Sequence, residues 1–137
     1  MRLLLDTNII FDVYERRQPE YSASNHLLKL ARRGRLAAAV ASQTVANAFY
    51  RYKKPGLPFV RDNLLNDVAV TAGDAHQIKT CLNLGMTDLE DALQVAAALE
   101  WKAAFIVTHN LRDFRRSPIP AISPLDWIKR FEPSLLE

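Results

Sequence analysis

At 137 residues with 49% hydrophobic content, the chain can bury one sizeable core without a second unit, and residues 1–137 are expected to form a single domain. Its one cysteine, Cys81, excludes an intramolecular disulfide and a thiolate metal cluster, and the short apolar run at its start contains Asp6, which fits neither a signal peptide nor a membrane span; a cytoplasmic protein with no membrane contact is expected. The net charge of +3 says little as a total, but the cations gather in groups: Arg32, Arg33 and Arg35; Arg51, Lys53 and Lys54; Arg112, Arg115 and Arg116.

In chain order, Arg2–Leu5 reads as a strand, followed by a short helix over about 8–14 that Glu15-Arg16-Arg17-Gln18-Pro19 breaks. Ser22 or Ser24 is placed to cap a second helix running to Arg33, with Leu27, Leu28, Leu30 and Ala31 at helical spacing and Gly34 as its terminator. A strand over 36–40 leads to a helix over about 43–53 that stops at Pro55-Gly56, and Pro58 begins another to about residue 65. After a strand over 68–70, Asp74 caps a helix ended by Gly85, and a further helix starts at Thr87 and runs to about Trp101. Phe105–Val107 is a strand. Pro118 and Pro120 bracket a loop before the short edge strand Ala121-Ile122, Pro124 opens the last helix, and the tail 132–137 is expected to fray. Strands that alternate with helices pair in parallel, so the expected fold is a three-layer α/β/α sandwich around a central, mainly parallel sheet of about five strands.

The chemistry concentrates in Thr87-Asp88-Leu89-Glu90-Asp91-Ala92-Leu93-Gln94. Asp88 and Asp91 are spaced i, i+3 on one face of a helix, while Glu90 is expected to point elsewhere. Two anions side by side repel, and a hard divalent cation bound by carboxylate oxygens and water relieves the repulsion. The competing reading makes Thr87-x-x-Glu90 a capping box whose acids oppose the helix dipole. Two further tracts favour the site. Asp6, followed by Thr7 and Asn8, closes the first strand, at the end where open α/β sheets bind ligands. Thr108-His109-Asn110-Leu111-Arg112-Asp113-Phe114 repeats the layout after Phe105–Val107.

These motifs, Leu3-Leu4-Leu5-Asp6-Thr7-Asn8, Asp88-x-x-Asp91-Ala92-Leu93-Gln94 and Thr108-His109-Asn110-x-x-Asp113-Phe114, resemble the PIN domain family in order and separation over nearly the whole chain. The resemblance implies a metal-dependent ribonuclease of the kind found as VapC-type toxins, and also in RNA processing. It implies that Asp6, Asp91 and Asp113, helped by Asp88, hold one or two Mg²⁺ or Mn²⁺ ions, with Thr7, Asn8, Thr108 and Asn110 in support, and that the chain forms a homodimer and meets a small antitoxin protein. One position departs from the pattern: Asn47 stands where such domains usually carry Glu, as in a subgroup in which that Glu is often not kept. Its amide oxygen can coordinate a cation or orient a water, but one fewer negative charge weakens cation affinity, and Asp88 is expected to supply the missing carboxylate.

Arg112, Arg115 and Arg116 are the cations placed to touch RNA. His109 has two readings, a phosphate or proton-transfer group and a surface loop residue. Phe49, Tyr50 and Tyr52 are candidates for base stacking, with core or dimer contact the preferred reading of Phe49. The rival function is a catalytically weak or inactive PIN domain that binds RNA or protein.

Overall fold

The structure, a computed structural model in which residues 1–136 are described, is built on one five-stranded sheet whose paired strands all run parallel. The chain runs β1 (Arg2–Leu5), α1 (Thr7–Glu15), α2 (Tyr21–Arg32), β2 (Ala37–Val40), α3 (Ser42–Pro58), a π-helical turn (Phe59–Leu64), α4 (Leu65–Asp67), β3 (Ala69–Val70), α5 (Ala75–Asn83), α6 (Leu89–Trp101), β4 (Phe105–Val107), a 3₁₀ turn (Leu111–Phe114), β5 (Ala121–Ile122), α7 (Pro124–Phe131) and a last 3₁₀ turn (Pro133–Leu136). The strand order β3-β2-β1-β4-β5 puts β1 at the centre. The chain winds outward through β2 and β3, then returns to the other side of β1 for β4 and β5. Beyond the carboxyl end of β1 lies the crevice that this reversal opens, where α/β sheets bind ligands.

Alternation along β1 divides the core between the two faces of the sheet. Leu3 and Leu5 pack with Ile9, Ile10, Leu27, Val107, Trp127 and Ile128 on one face. Leu4 packs with Ala39, Val95, Ala97, Ala98 and Ile106 on the other. A strand buried on both faces needs an unbroken apolar run, which Leu3-Leu4-Leu5 supplies. The second face is made largely of alanines, so α6 lies close to the strands, and its opposite side packs Ala92 and Ala96 against Cys81 of α5. No helix among the described residues is long and apolar enough to cross a membrane.

Several local expectations are corrected. The helix expected at 43–53 does end at Lys53, whose backbone leaves the helical region at φ 56°, ψ −150°, but the next helical turn follows at once within α3 and not from Pro58. Pro55 then falls in the first turn of the segment beyond the kink, where its missing N–H costs nothing. The segment folds tightly back: a Cβ on Gly56 would stand 2.3 Å from the Tyr52 Cβ. Neither Ser22 nor Ser24 caps α2; Glu20 occupies that position without a side-chain bond, and the buried Ser24 Oγ donates to Asp12 Oδ2 at 3.4 Å. Asp88, not Thr87, caps α6, its Oδ1 accepting from the Asp91 N–H at 2.9 Å. The tail expected to fray forms the final 3₁₀ turn over Pro133–Leu136, with Leu135 against the larger core; Glu137 lies outside the described residues.

The kink yields two opposed predictions. Lys53→Gly, which removes a side chain from a conformation only glycine adopts freely, is expected to stabilise the fold by about 1 kcal/mol, and Gly56→Ala to destabilise it by about 1–3 kcal/mol. Urea unfolding midpoints at constant slope measure both.

Candidate active site

Asp6 sits where β1 ends and α1 begins, in the N-cap position of α1, yet it makes no side-chain capping bond. Its Oδ2 instead accepts from Thr108 Oγ1 at 2.9 Å, across the neighbouring parallel strand. Thr108 is fixed in turn, its Oγ1 accepting from the Asn110 N–H at 3.0 Å. The Asp6 backbone N–H donates to the Val107 carbonyl at 2.9 Å, which locks the two strand ends together. Burial pushes the Asp6 carboxyl above the usual carboxylate range, and the Thr108 hydrogen bond works against that rise.

Facing Asp6 is the first turn of α6. A cavity of about 400 Å³ opens between them, lined by Asp6, Asp88, Glu90, Asp91 and Asp113, with Asn8, Asn47, Asn110, Thr7 and Gln94 among its other walls. Burial first, and then the charges of Asp88, Asp113, Asp6 and Glu90, push the Asp91 carboxyl up to about 6. One cation, Arg51, also lines this cavity, but it is already neutralised: its Nε donates to Glu15 Oε2 at 2.8 Å and its second guanidinium nitrogen to Oε1 at 3.1 Å. Although burial acts to raise it, the Glu15 carboxyl is held at about 2 by hydrogen bonds from Arg51 and Tyr52 and by Arg17.

Beneath the acids lies a buried polar network. Gln94 Nε2 donates to Thr7 Oγ1 at 3.0 Å, and the Thr7 and Thr44 hydroxyls share a hydrogen bond of 2.7 Å. Gln94 Oε1 is buried with no partner. A buried orphan acceptor costs about 1–3 kcal/mol unless a donor or cation reaches it.

A second cavity shares the Asp88, Asp91 and Asp113 wall and is lined beyond it by Met86, Thr87, Arg112, Arg115 and Arg116. The three arginines thus stand across the acids from Asp6 and Asn47. His109 lines neither of these two cavities; its Nε2 is 2.5 Å from the buried Asp12 Oδ2, which ties the loop after β4 to α1. Tyr50 lines the first cavity, is 80% exposed and has the Lys53 ammonium 4.9 Å from its ring centre, whereas Tyr52 packs on Phe11 and Tyr14.

The donors suit a hard divalent cation. They are oxygen-rich, several times negative and uncompensated by any free cation among the lining residues, with one buried carbonyl lacking a partner. Among the described residues no three carboxylate, imidazole or thiol groups close on one point. Magnesium keeps several of its waters and takes one or two carboxylates directly, and the cavity has room for such a shell at about 30 Å³ per water.

The sequence-derived acids Asp6, Asp88, Asp91 and Asp113 all reach the one cavity, as do Thr7, Asn8, Asn47 and Asn110; Thr108 stands behind Asp6. Glu90 is a correction: expected to point elsewhere, it lines the cavity and accepts at Oε1 from Asn47 Nδ2 at 3.0 Å. Thr44 was not singled out from the sequence, and Gln94 only as the end of the Asp91-Ala92-Leu93-Gln94 motif, one helical turn after Glu90 and Asp91.

The family model that matches the chain, over residues 2–112, is the PIN domain; Asp6, Asn47, Asp88 and Asp91 fall within the match and Asp113 one residue beyond it. No curated protein matches the chain. Similar solved structures include VapBC2 from Rickettsia felis bound to a DNA fragment from their promoter, at 22% identity and TM-score 0.70, covering 90% of this chain and 98% of that one. A toxin–antitoxin complex from Klebsiella pneumoniae matches at 20% identity and TM-score 0.68, over 89% and 97% of the two chains. VapBC-1 from nontypeable Haemophilus influenzae matches at 16% and 0.67, over 91% and 99%. At these identities the likeness is one of fold.

A carboxyl raised from 3.8 to about 6 destabilises the folded state once it ionises, so stability is expected to rise as pH falls through 6 towards 4 in the metal-free protein. Asp91→Asn removes this charge. It is expected to raise metal-free stability at pH 7 by about 1 kcal/mol after allowance for solvent screening, and to leave it nearly unchanged at pH 4; thermal melts at the two pH values test this.

Proposed function

The chain belongs to the PIN domain family, and on that premise we propose that it is a Mg²⁺- or Mn²⁺-dependent endoribonuclease that hydrolyses RNA phosphodiester bonds and serves as the toxin of a toxin–antitoxin pair. The observation that carries this reading is the shared wall of Asp88, Asp91 and Asp113, with further carboxylates on one side and three arginines on the other. An RNA backbone held by the arginines brings a phosphodiester to the acids without any cation of the protein competing for it.

Asp6, Asp91 and Asp113, with Asp88, are the residues that would hold the ion. A divalent cation bound there supplies Lewis acidity at the phosphodiester and a water acidified enough to attack phosphorus. The protein's own groups orient and restrain. Thr108 fixes one Asp6 oxygen, Asn110 holds Thr108, and the Gln94–Thr7–Thr44 network keeps the floor rigid. Arg112, Arg115 and Arg116 bind phosphates. The likeness in fold to chains from toxin–antitoxin complexes supports a small protein antitoxin as partner, and the same reading places the chain in the cytoplasm as a homodimer.

Purified protein is expected to cut a mixed pool of single-stranded and transfer RNA with Mn²⁺ or Mg²⁺ and not with chelator, leaving 5′-phosphate and 3′-hydroxyl ends. The Asp6→Asn, Asp91→Asn double variant should fall to about a hundredth of that rate or less. Cutting that persists in chelator, or a 2′,3′-cyclic product, refutes the reading; RNA bound but left uncut by the wild type makes the chain a binding module instead.

Replacing Arg112, Arg115 and Arg116 by Ala is expected to raise KM and flatten the salt dependence of RNA binding, with less effect on kcat. Filter binding across a salt series, beside steady-state cleavage, separates these terms.

A further inference from the structure

Glu90 is open to solvent at the cavity, where a long acidic side chain beside like charges is free to swing out into water. Two residues of α3 hold it instead. Gln43 Nε2 donates to the Glu90 carbonyl at 3.1 Å, which fixes the backbone, and Asn47 Nδ2 donates to Oε1 at 3.0 Å, which fixes the carboxylate. The carboxylate is thus kept on the lining it shares with Asp6, Asp88, Asp91 and Asp113. One turn further along α6, on the same helix face, Gln94 presents a buried carbonyl oxygen with no donor. An anion restrained among anions and an acceptor without a partner are both satisfied by a hydrated cation in the space between them.

Asn47 is committed by the same geometry. Its amide nitrogen faces Glu90, and an acid at position 47 would repel Glu90 rather than hold it. Asp88 already devotes one oxygen to capping α6. We propose that Glu90, delivered from α6, supplies the carboxylate that position 47 lacks, and that Asn47 is a positioning residue for Glu90 and not a ligand itself. The inference rests on the metal-dependent reading of the cavity.

The test is Mn²⁺ binding to the full chain, followed by the paramagnetic resonance of free Mn²⁺ and by calorimetry, with Asp91→Asn as reference and metal-free thermal melts to show that each variant is folded. Glu90→Gln is expected to weaken binding by about tenfold or more, and Asn47→Ala by less. Combining Asn47→Ala with Glu90→Gln should be no worse than Glu90→Gln alone, because the two act through one carboxylate. The exchanged pair Asn47→Glu, Glu90→Gln returns the charge from the facing wall and should recover affinity to within about threefold of wild type. Wild-type binding by Glu90→Gln while Asp91→Asn loses it overturns the proposal and leaves the metal site standing. A folded exchange variant that stays as weak as Glu90→Gln also overturns it. If Asp91→Asn binds Mn²⁺ as wild type does, the metal reading falls first, and the proposal with it.

Discussion

Repulsion among carboxylates that cannot move apart is the constraint on which this structure turns. Three acids at the carboxyl edge of the sheet are restrained by something other than a counter-charge: Asp6 by Thr108, Asp88 by its cap on α6 and Glu90 by Asn47. Arg51, which shares the lining of the first cavity with them, is bound by Glu15 and so does not quench them. A cluster left to itself would splay into water or take up protons, and the raised Asp91 carboxyl leans towards the second outcome. The site resembles a spring held compressed by hydrogen bonds, with its relief left to a ligand of opposite charge.

The rest of the fold reads as the clamp. Parallel pairing of β1 with β4 sets Asp6 beside Thr108 because Leu5 and Val107 are partners in register, so the next residue of each strand falls at the same level. α6 enters from the other side and leads directly into β4, which makes its N-terminus and the end of that strand two walls of one crevice. α3, following β2, completes the enclosure with Asn47, Tyr50 and Arg51. Each wall belongs to a different strand or crossover of the sheet, so the cavity exists only when the whole sheet has formed.

Much of this was legible from the sequence, for definable reasons. Apolar runs ending in Asp6-Thr7-Asn8 and Thr108-His109-Asn110 mark strand ends, and the alternation of strands with helices forces those ends to one edge. The strand bounds, the Asp74 cap and the Gly34 and Gly85 stops depend on local chemistry and could be read locally. Glu90 could not. Its direction is set by an amide on another helix, and the distance between α3 and α6 follows from packing rather than from the i, i+3 rule that assigned Asp88 to Asp91. The break in α3 was legible from Pro55-Gly56, but not the positive φ that makes it, because that falls on Lys53 and not on a glycine, while the nearby Gly56 is needed to let the chain pass Tyr52. The network of Gln94 and Thr44 could not be read either, since it joins residues 50 positions apart.

The alanine face of α6 carries a consequence for how such a protein tolerates change. Ala97 and Ala98 against the sheet, and Ala92 and Ala96 against α5, act as spacers one methyl thick, and they set how near the acidic turn stands to Asp6. A larger side chain at any of them moves a rigid rod, and the acids at its tip travel with it. Site geometry and core packing are therefore mechanically one property here. Mutations that disturb the site need not fall in the cavity at all, since a single added methylene beneath the helix can shift its walls while the sheet stays folded.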